Sequence, residues 1–298
     1  MSVRDIAMPA RAARVDVAGL VAGLVTVTAW GSAFVGIRAA GDELSPGALA
    51  LGRLLVCTAA LGAVALLRRE PLPRRRDLLA ICAYGVLWLG LYSVALNAAE
   101  RRVDAGTAAM IVTTGPILIA LLAGVFLREG FPQGLLAGMA VAFGGSAMIG
   151  FAAGQSEPRA ALGVVLCIVA ALAWAVAVIA QKSVLARVSP FQVTFLGCLA
   201  ATLALLPFSA TLANEAADAD AATLAWVIYL GLVPTAVGFA AWTFALRRTS
   251  AGRMGSITYL VPVVAVLLGW LLLGETPATL ALVGGALCLA GVALARRG

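Results

Sequence analysis

Apolar residues gather in ten runs along the chain, at 17–40, 46–67, 78–98, 104–127, 133–152, 163–186, 190–211, 223–245, 252–273 and 277–295. The breaks are short and carry most of the charges: RREPLPRRRD at 68–77, ERRVD at 100–104, SEPR at 156–159, NEAADAD at 214–220 and RRTSAGR at 247–253. A helix needs about 20 apolar residues to cross hydrocarbon. The pattern therefore predicts an all-α integral membrane protein with ten transmembrane helices. No break is long enough to hold a second domain. The polar, basic segment MSVRDIAMPARAARVD precedes a run too long for a signal-peptide core, so that run is read as the first span.

Composition agrees. Hydrophobic residues make up 62% of the 298 and charged residues 12%, against about 45–50% and roughly 25% in soluble domains. Mean hydropathy is +1.03. The solvent such a chain needs is a lipid bilayer. The net charge of +7 is explained by position and calls for no nucleic-acid partner. With the N-terminus in the cytoplasm and the spans alternating, 16 of the 21 Lys and Arg residues fall on the cytoplasmic side. Arg38, Arg101, Arg102 and Arg159 fall on the far side, and Arg53 lies inside a span. This bias predicts a multi-pass protein with both termini cytoplasmic, which requires an even number of spans.

The chain also repeats itself. Gly19, Ala29, Trp30, Ala33, Ser45 and Pro46 recur 144 positions later as Gly163, Ala173, Trp174, Ala177, Ser189 and Pro190, and Arg38 maps to Lys182. At an offset of 146, RRVDAG (101–106) maps to RRTSAG (247–252), Pro116 to Pro262 and Glu129 to Glu275. The two copies are residues 1–156 and 157–298, each with five spans. An odd number of spans leaves the second copy upside down, so the repeats are expected to be inverted, as in transporters with alternating access.

Several motifs carry a family resemblance: AWGSAFVGIR and AWAVAVIAQK in the first helix of each half, SP opening the second, a Gly- and Pro-bearing fourth, and the LRE and LGE endings. With these, the chain resembles the drug/metabolite transporter superfamily, and its EamA-type ten-helix exporters, over essentially its whole length. YddG-like exporters of aromatic and other amino acids are the branch this suggests. The resemblance implies export across a bacterial inner membrane. The alternative it leaves open is export of other drugs or metabolites.

The residues set further bounds. Histidine is absent, which removes imidazole as a base or metal ligand. The five cysteines have no metal spacing and are read as packed thiols. No P-loop exists, and neither a metal nor a cofactor is expected. No Asp or Glu lies near a span centre, so downhill export and proton coupling through an edge carboxylate both stand. An integral-membrane enzyme would need a clustered nucleophile and base, which the sequence does not offer. A channel would need a continuously polar span.

Candidate substrate-binding residues are Trp30, Tyr84, Trp88, Tyr92, Asn97, Thr113, Thr114, Trp174 and Tyr259. Tyr84, Trp88 and Tyr92 recur at spacing four, and the mid-span tryptophans lie too deep to anchor at headgroups. An aromatic cavity and plain helix packing both explain them. Trp226 and Trp242 lie toward span ends. Pro116 and Pro262 break helices at mid-span, either at a substrate site or as static kinks. Arg53, two turns into the second span, either meets a substrate carboxylate or gates the outer mouth, or it snorkels and pairs with Asp42, Glu43 or loop carbonyls. The small residues at 142–150 and 282–291 suit a scaffold or dimer face, or packing within one chain. Monomer and homodimer both stand.

Overall fold

The computed structural model describes residues 16–41, 43–102, 112, 114–153, 160–273 and 279–297, and among them the chain is helical, with no strand. Helix α1 is Val17–Gly41 and α2 is Pro46–Arg68. Helix α3 runs as Arg75–Tyr84, a π-helical stretch Gly85–Tyr92, and Ser93–Glu100. Next come α4 (Gly115–Phe126), α5 (Gln133–Ala153) and α6 (Ala160–Val184). Helix α7 is Pro190–Asp218 and α8 is Ala221–Arg248, the latter with a π-helical stretch at Gly231–Val237. Helix α9 is in two pieces, Ala251–Ile257 and Leu260–Leu273, and α10 is Thr279–Arg297. Six helices among the described residues are long and apolar enough to cross a membrane: α1, α2, α3, α6, α7 and α8. Stretches Gly115–Phe126, Gln133–Met148 and Leu282–Ala295 are shorter apolar helices.

Local chemistry explains several ends. Pro46 and Pro190 open α2 and α7 behind Ser45 and Ser189, and Ser189 Oγ accepts from Gln192 N at 3.1 Å. Proline suits this position because its missing N–H is one the helix start leaves unpaired anyway. In α9 the break falls at Thr258 and Tyr259. Thr258 stands four residues before Pro262, which has no amide proton for the Thr258 carbonyl; Val261 N bonds it instead at 2.9 Å. Pro234 lies inside the π-helical stretch of α8. Helix α7 extends through most of the acidic segment expected as a loop at 214–220, ending at Asp218.

The two π-helical stretches begin at positions 146 apart, and each starts at a glycine where another helix passes closely. A Cβ on Gly85 would lie 2.2 Å from Gly197 O, and one on Gly231 would lie 2.7 Å from Arg53 O. The widened π turn and the bare glycine let the backbones touch.

The halves of the chain interlock in one core. Helix α1 packs on α8 and α9, α6 packs on α3 and α4, α2 packs on α7 and α8, and α7 also packs on α3. Helices α4 and α9 meet, as do α5 and α10. Glycines bring α5 and α10 together: a Cβ on Gly138 would lie 2.3 Å from Ala295 N, and one on Gly145 2.4 Å from Gly284 O. The small residues of 142–150 and 282–291 therefore serve contact within the chain. Outward faces carry exposed Val, Leu and Phe, such as Leu66, Leu67, Val125 and Phe126, as lipid requires.

Candidate functional site

A cavity of about 130 Å³ lies between the halves. One water needs roughly 10–15 Å³ on this measure, so the space admits a small organic solute. Trp30 from α1, Trp88 and Tyr92 from α3, Trp174 from α6 and Phe239 from α8 form its aromatic walls. Arg53, Asn97, Pro116, Pro234, Thr258 and Pro262 complete its polar and bent edges. Both π-helical stretches reach it, through Trp88 and Tyr92 and through Pro234.

The aromatic rings pack on one another. Trp88 lies 5.8 Å from Trp174, 4.9 Å from Phe239 and 5.6 Å from Trp30, centroid to centroid. Most of these pairs are tilted or edge-on, which suits ring quadrupoles. Trp30 Nε1 donates to Pro234 O at 3.2 Å. Trp174 Nε1 is buried with no hydrogen-bond partner.

Arg53 is the charged residue of the lining among the described residues, and it is 9% exposed. Its Nε donates to Thr235 Oγ1 at 3.1 Å, and that hydroxyl donates to Leu230 O at 2.7 Å, five residues back in the π-helical geometry. Glu43, one expected partner of a snorkelling arginine, instead accepts from Asp220 N at 2.9 Å. Asp42, the other, lies outside the described residues. Asn97 Nδ2 donates to Pro46 O at 3.1 Å.

The structure brings Trp30, Trp88, Tyr92, Asn97, Trp174, Arg53, Pro116 and Pro262 together around the cavity. It places Tyr84 and Tyr259 elsewhere, each fully buried. The Tyr84 ring fills the space left by Gly197, where a Cβ would lie 2.4 Å from Tyr84 Cε1. Thr114 starts α4, its carbonyl accepting from Ile117 N and Leu118 N at 3.0 and 3.1 Å. Thr113 lies outside the described residues. Phe239, Thr235 and Thr258 carried no signal in the sequence. Trp242 was placed toward a span end, yet it is 0% exposed and 5.2 Å from the Trp30 ring.

Beyond Trp242 the bundle is filled. Trp242 Nε1 donates to Gln181 Oε1 at 2.9 Å, and Gln181 Nε2 donates to Thr243 Oγ1 at 2.9 Å. Thr194 Oγ1 lies 3.0 Å from that hydroxyl. At the rim, Lys182 Nζ donates to Leu246 O at 2.6 Å and also to Thr249 O. Glu129 accepts from Ala251 N and Gly252 N at 2.9 and 3.3 Å. A cation thus meets the carbonyl end of α8 and a carboxylate the amide end of α9, the arrangement that helix dipoles favour. Arg187 and Asp77 pair nearby at 2.6 Å, and the Asp77 carboxylate raises the Arg187 pKa. Among the described residues no group of three or more His, Cys, Asp or Glu side chains could hold a metal.

Comparison with known proteins matches this geometry. The EamA-like transporter family fits the chain twice, over residues 17–151 and 161–297. A probable terminal-alkyne amino-acid exporter of Streptantibioticus cattleyicolor is 39% identical over 274 residues, 92% of either chain. A probable amino-acid metabolite efflux pump of Salmonella typhimurium is 28% identical over 279 residues, 90% of this chain and 91% of its own. A protein of known crystal structure, 19% identical, shares the fold at a TM-score of 0.77 over 94% of this chain and 98% of that one. The chain is a multi-pass membrane protein and belongs to the EamA-like transporter family.

Proposed function

We propose that this chain is a secondary transporter that exports small metabolites, amino acids foremost, by alternating access. In this reading ten spans form two inverted five-helix repeats, residues 1–156 and 157–298, with both termini on the cytoplasmic side of a bacterial inner membrane. The observation that carries it is a mid-bundle aromatic cavity between the halves, backed on one side by the filled layer at Trp242 and Gln181. Such a cavity reaches solvent from one face at a time when the filled layer can exchange sides.

The packing supports the repeat. Exchanging the halves turns the α1–α8 contact into α6–α3, α1–α9 into α6–α4 and α2–α8 into α7–α3, while α2–α7, α4–α9 and α5–α10 map onto themselves. The double family match points the same way. The name of the Streptantibioticus relative favours terminal-alkyne amino acids. Trp30, Trp88, Tyr92 and Trp174 would face the substrate, Asn97 would bond it, and Pro116 and Pro262 would let α4 and α9 bend. Thr114, at the start of α4, would stand beside the path with its sequence neighbour Thr113, and Tyr84 and Tyr259 would shape the walls from behind.

Counterflow tests the reading. Liposomes holding the purified protein and loaded with propargylglycine should take up labelled propargylglycine or phenylalanine in a saturable way. Absence of saturable flux for every amino acid tried would overturn it.

A further inference from the structure

Among the described residues the cavity has one cation and no carboxylate. Arg53 is nine-tenths buried, and its Nε is fixed by the Thr235 hydroxyl, whose own proton is committed to Leu230 O. Arg53 lines the cavity, and the one hydrogen bond of its guanidinium to a described residue is the one from Nε. A guanidinium offers two parallel N–H donors that match a carboxylate. A buried cation with no counter-ion is costly, so an entering anion gains both contact and compensation.

We infer that Arg53 is the receptor for the carboxylate of the transported molecule and selects amino acids over the amines and esters that share their side chain. This rests on reading the cavity as the substrate path. The molecule's ammonium group meets aromatic faces of Trp30, Trp88 and Trp174, which stabilise a cation without a charge partner. Its apolar side chain lies against the same rings. An amine lacking the carboxylate meets Arg53 as a like charge and finds no acidic residue among the described lining residues. The position 144 residues after Arg53 is Gly197, filled by the Tyr84 ring, so among the described residues the cavity has one anion receptor and suits a single carboxylate. Thr235 is a positioning residue. It holds Nε and leaves the other donors to the ligand.

The test uses three probes with one side chain: propargylglycine, its methyl ester, and but-3-yn-1-amine. Binding is read from tryptophan fluorescence of the detergent-purified protein, and transport from counterflow in liposomes. Wild type should bind and exchange the amino acid about 10- to 100-fold better than the ester or the amine, the range expected for losing charge-assisted bonds. Arg53→Gln should lose that preference and bind all three weakly. Arg53→Lys should recover part of it. Thr235→Val should weaken binding of the amino acid several-fold while keeping the order of the probes, which a merely structural role would not do. If Arg53→Gln does not fold, the wild-type ranking of the probes still decides. Equal handling of the three probes by a transporting wild type, or unchanged amino-acid binding by Arg53→Gln, overturns the role of Arg53 and leaves the transporter standing. Failure of wild type to bind or move any of the three overturns the amino-acid reading and Arg53's role with it.

Discussion

The two ends of the bundle differ at equivalent positions. Toward the α1–α2 turn, Arg53, Leu96 and Asn97 stand around a hollow. Toward the α8–α9 turn their counterparts, offset by 144 or 146, are Gly197, Trp242 and Thr243, and all three are buried. Gly197 admits the Tyr84 ring, Trp242 packs at a tilt against Trp30, and Thr243 joins the Gln181 amide. Ile37 stands where the second copy has Gln181. Positions paired by the sequence offset thus line a hollow in one half and pack tightly in the other, and the difference lies in a few side chains. The turns differ too. Lys182 and Glu129 hold the α8–α9 turn from opposite signs of charge. At the other end Arg101 donates to Gly41 O and Leu44 O, and Glu215 accepts from Ser45 N.

If the filled end owes its closure to these side chains, substitutions there should cost more than at their counterparts. Trp242→Ala should have the largest effect, about 3–5 kcal/mol of stability for a buried tryptophan, against under about 2 kcal/mol for Leu96→Ala. Denaturation in micelles measures both, and equal losses would break the comparison. Glu129→Gln comes next. The amide replaces one of the two accepting oxygens with a donor NH2 that faces a backbone N–H, so the closed α8–α9 turn should weaken by about 1–2 kcal/mol. Thiol labelling of Ala251→Cys should then speed up about 5- to 30-fold. Thr243→Val should have a smaller effect, about 1 kcal/mol, through loss of the Gln181 partner, whereas Asn97→Ala should leave the filled end untouched.

The smallest effect concerns the open end and depends on pH. The Asp220 carboxyl caps α8, and the bond from Thr223 N at 2.6 Å holds its pKa below the ordinary carboxylate value. A lowered value in the folded state means the cap contributes fully above the ordinary carboxylate pKa and is lost as pH falls through the lowered one. The melting difference between wild type and Asp220→Ala should therefore persist at neutral pH and vanish in acid. A difference that grows in acid would reverse the sign.

Much of this fold was legible because lipid forces long apolar runs. The run at 46–67 became Pro46–Arg68, and the run at 17–40 became Val17–Gly41. Trp30, Trp88 and Trp174 were legible as candidates because a tryptophan at mid-depth has no headgroup to meet, and all three line the cavity. Trp242 was not, because distance from a helix end says nothing about which face a residue takes. A π-helical stretch also shifts that face for every residue after it, and nothing in GLVPTAV marks the widening except its proline. Tyr84 shared the spacing of Trp88 and Tyr92, but the stretch that begins at Gly85 turns it away from the cavity. Thr235 and Phe239 escaped for a related reason: each acts through a partner far away in the chain.

The central claim is that open and filled ends exchange. Single cysteines at Leu96→Cys and Thr243→Cys, in a background free of other cysteines, test it with a membrane-impermeant maleimide applied to either face of oriented vesicles. The account predicts that Leu96→Cys reacts from one face only and Thr243→Cys from the other face only. Propargylglycine gradients should raise one rate while lowering the other. A Thr243→Cys thiol that never reacts under any gradient, or two thiols that react together from one face, would contradict it.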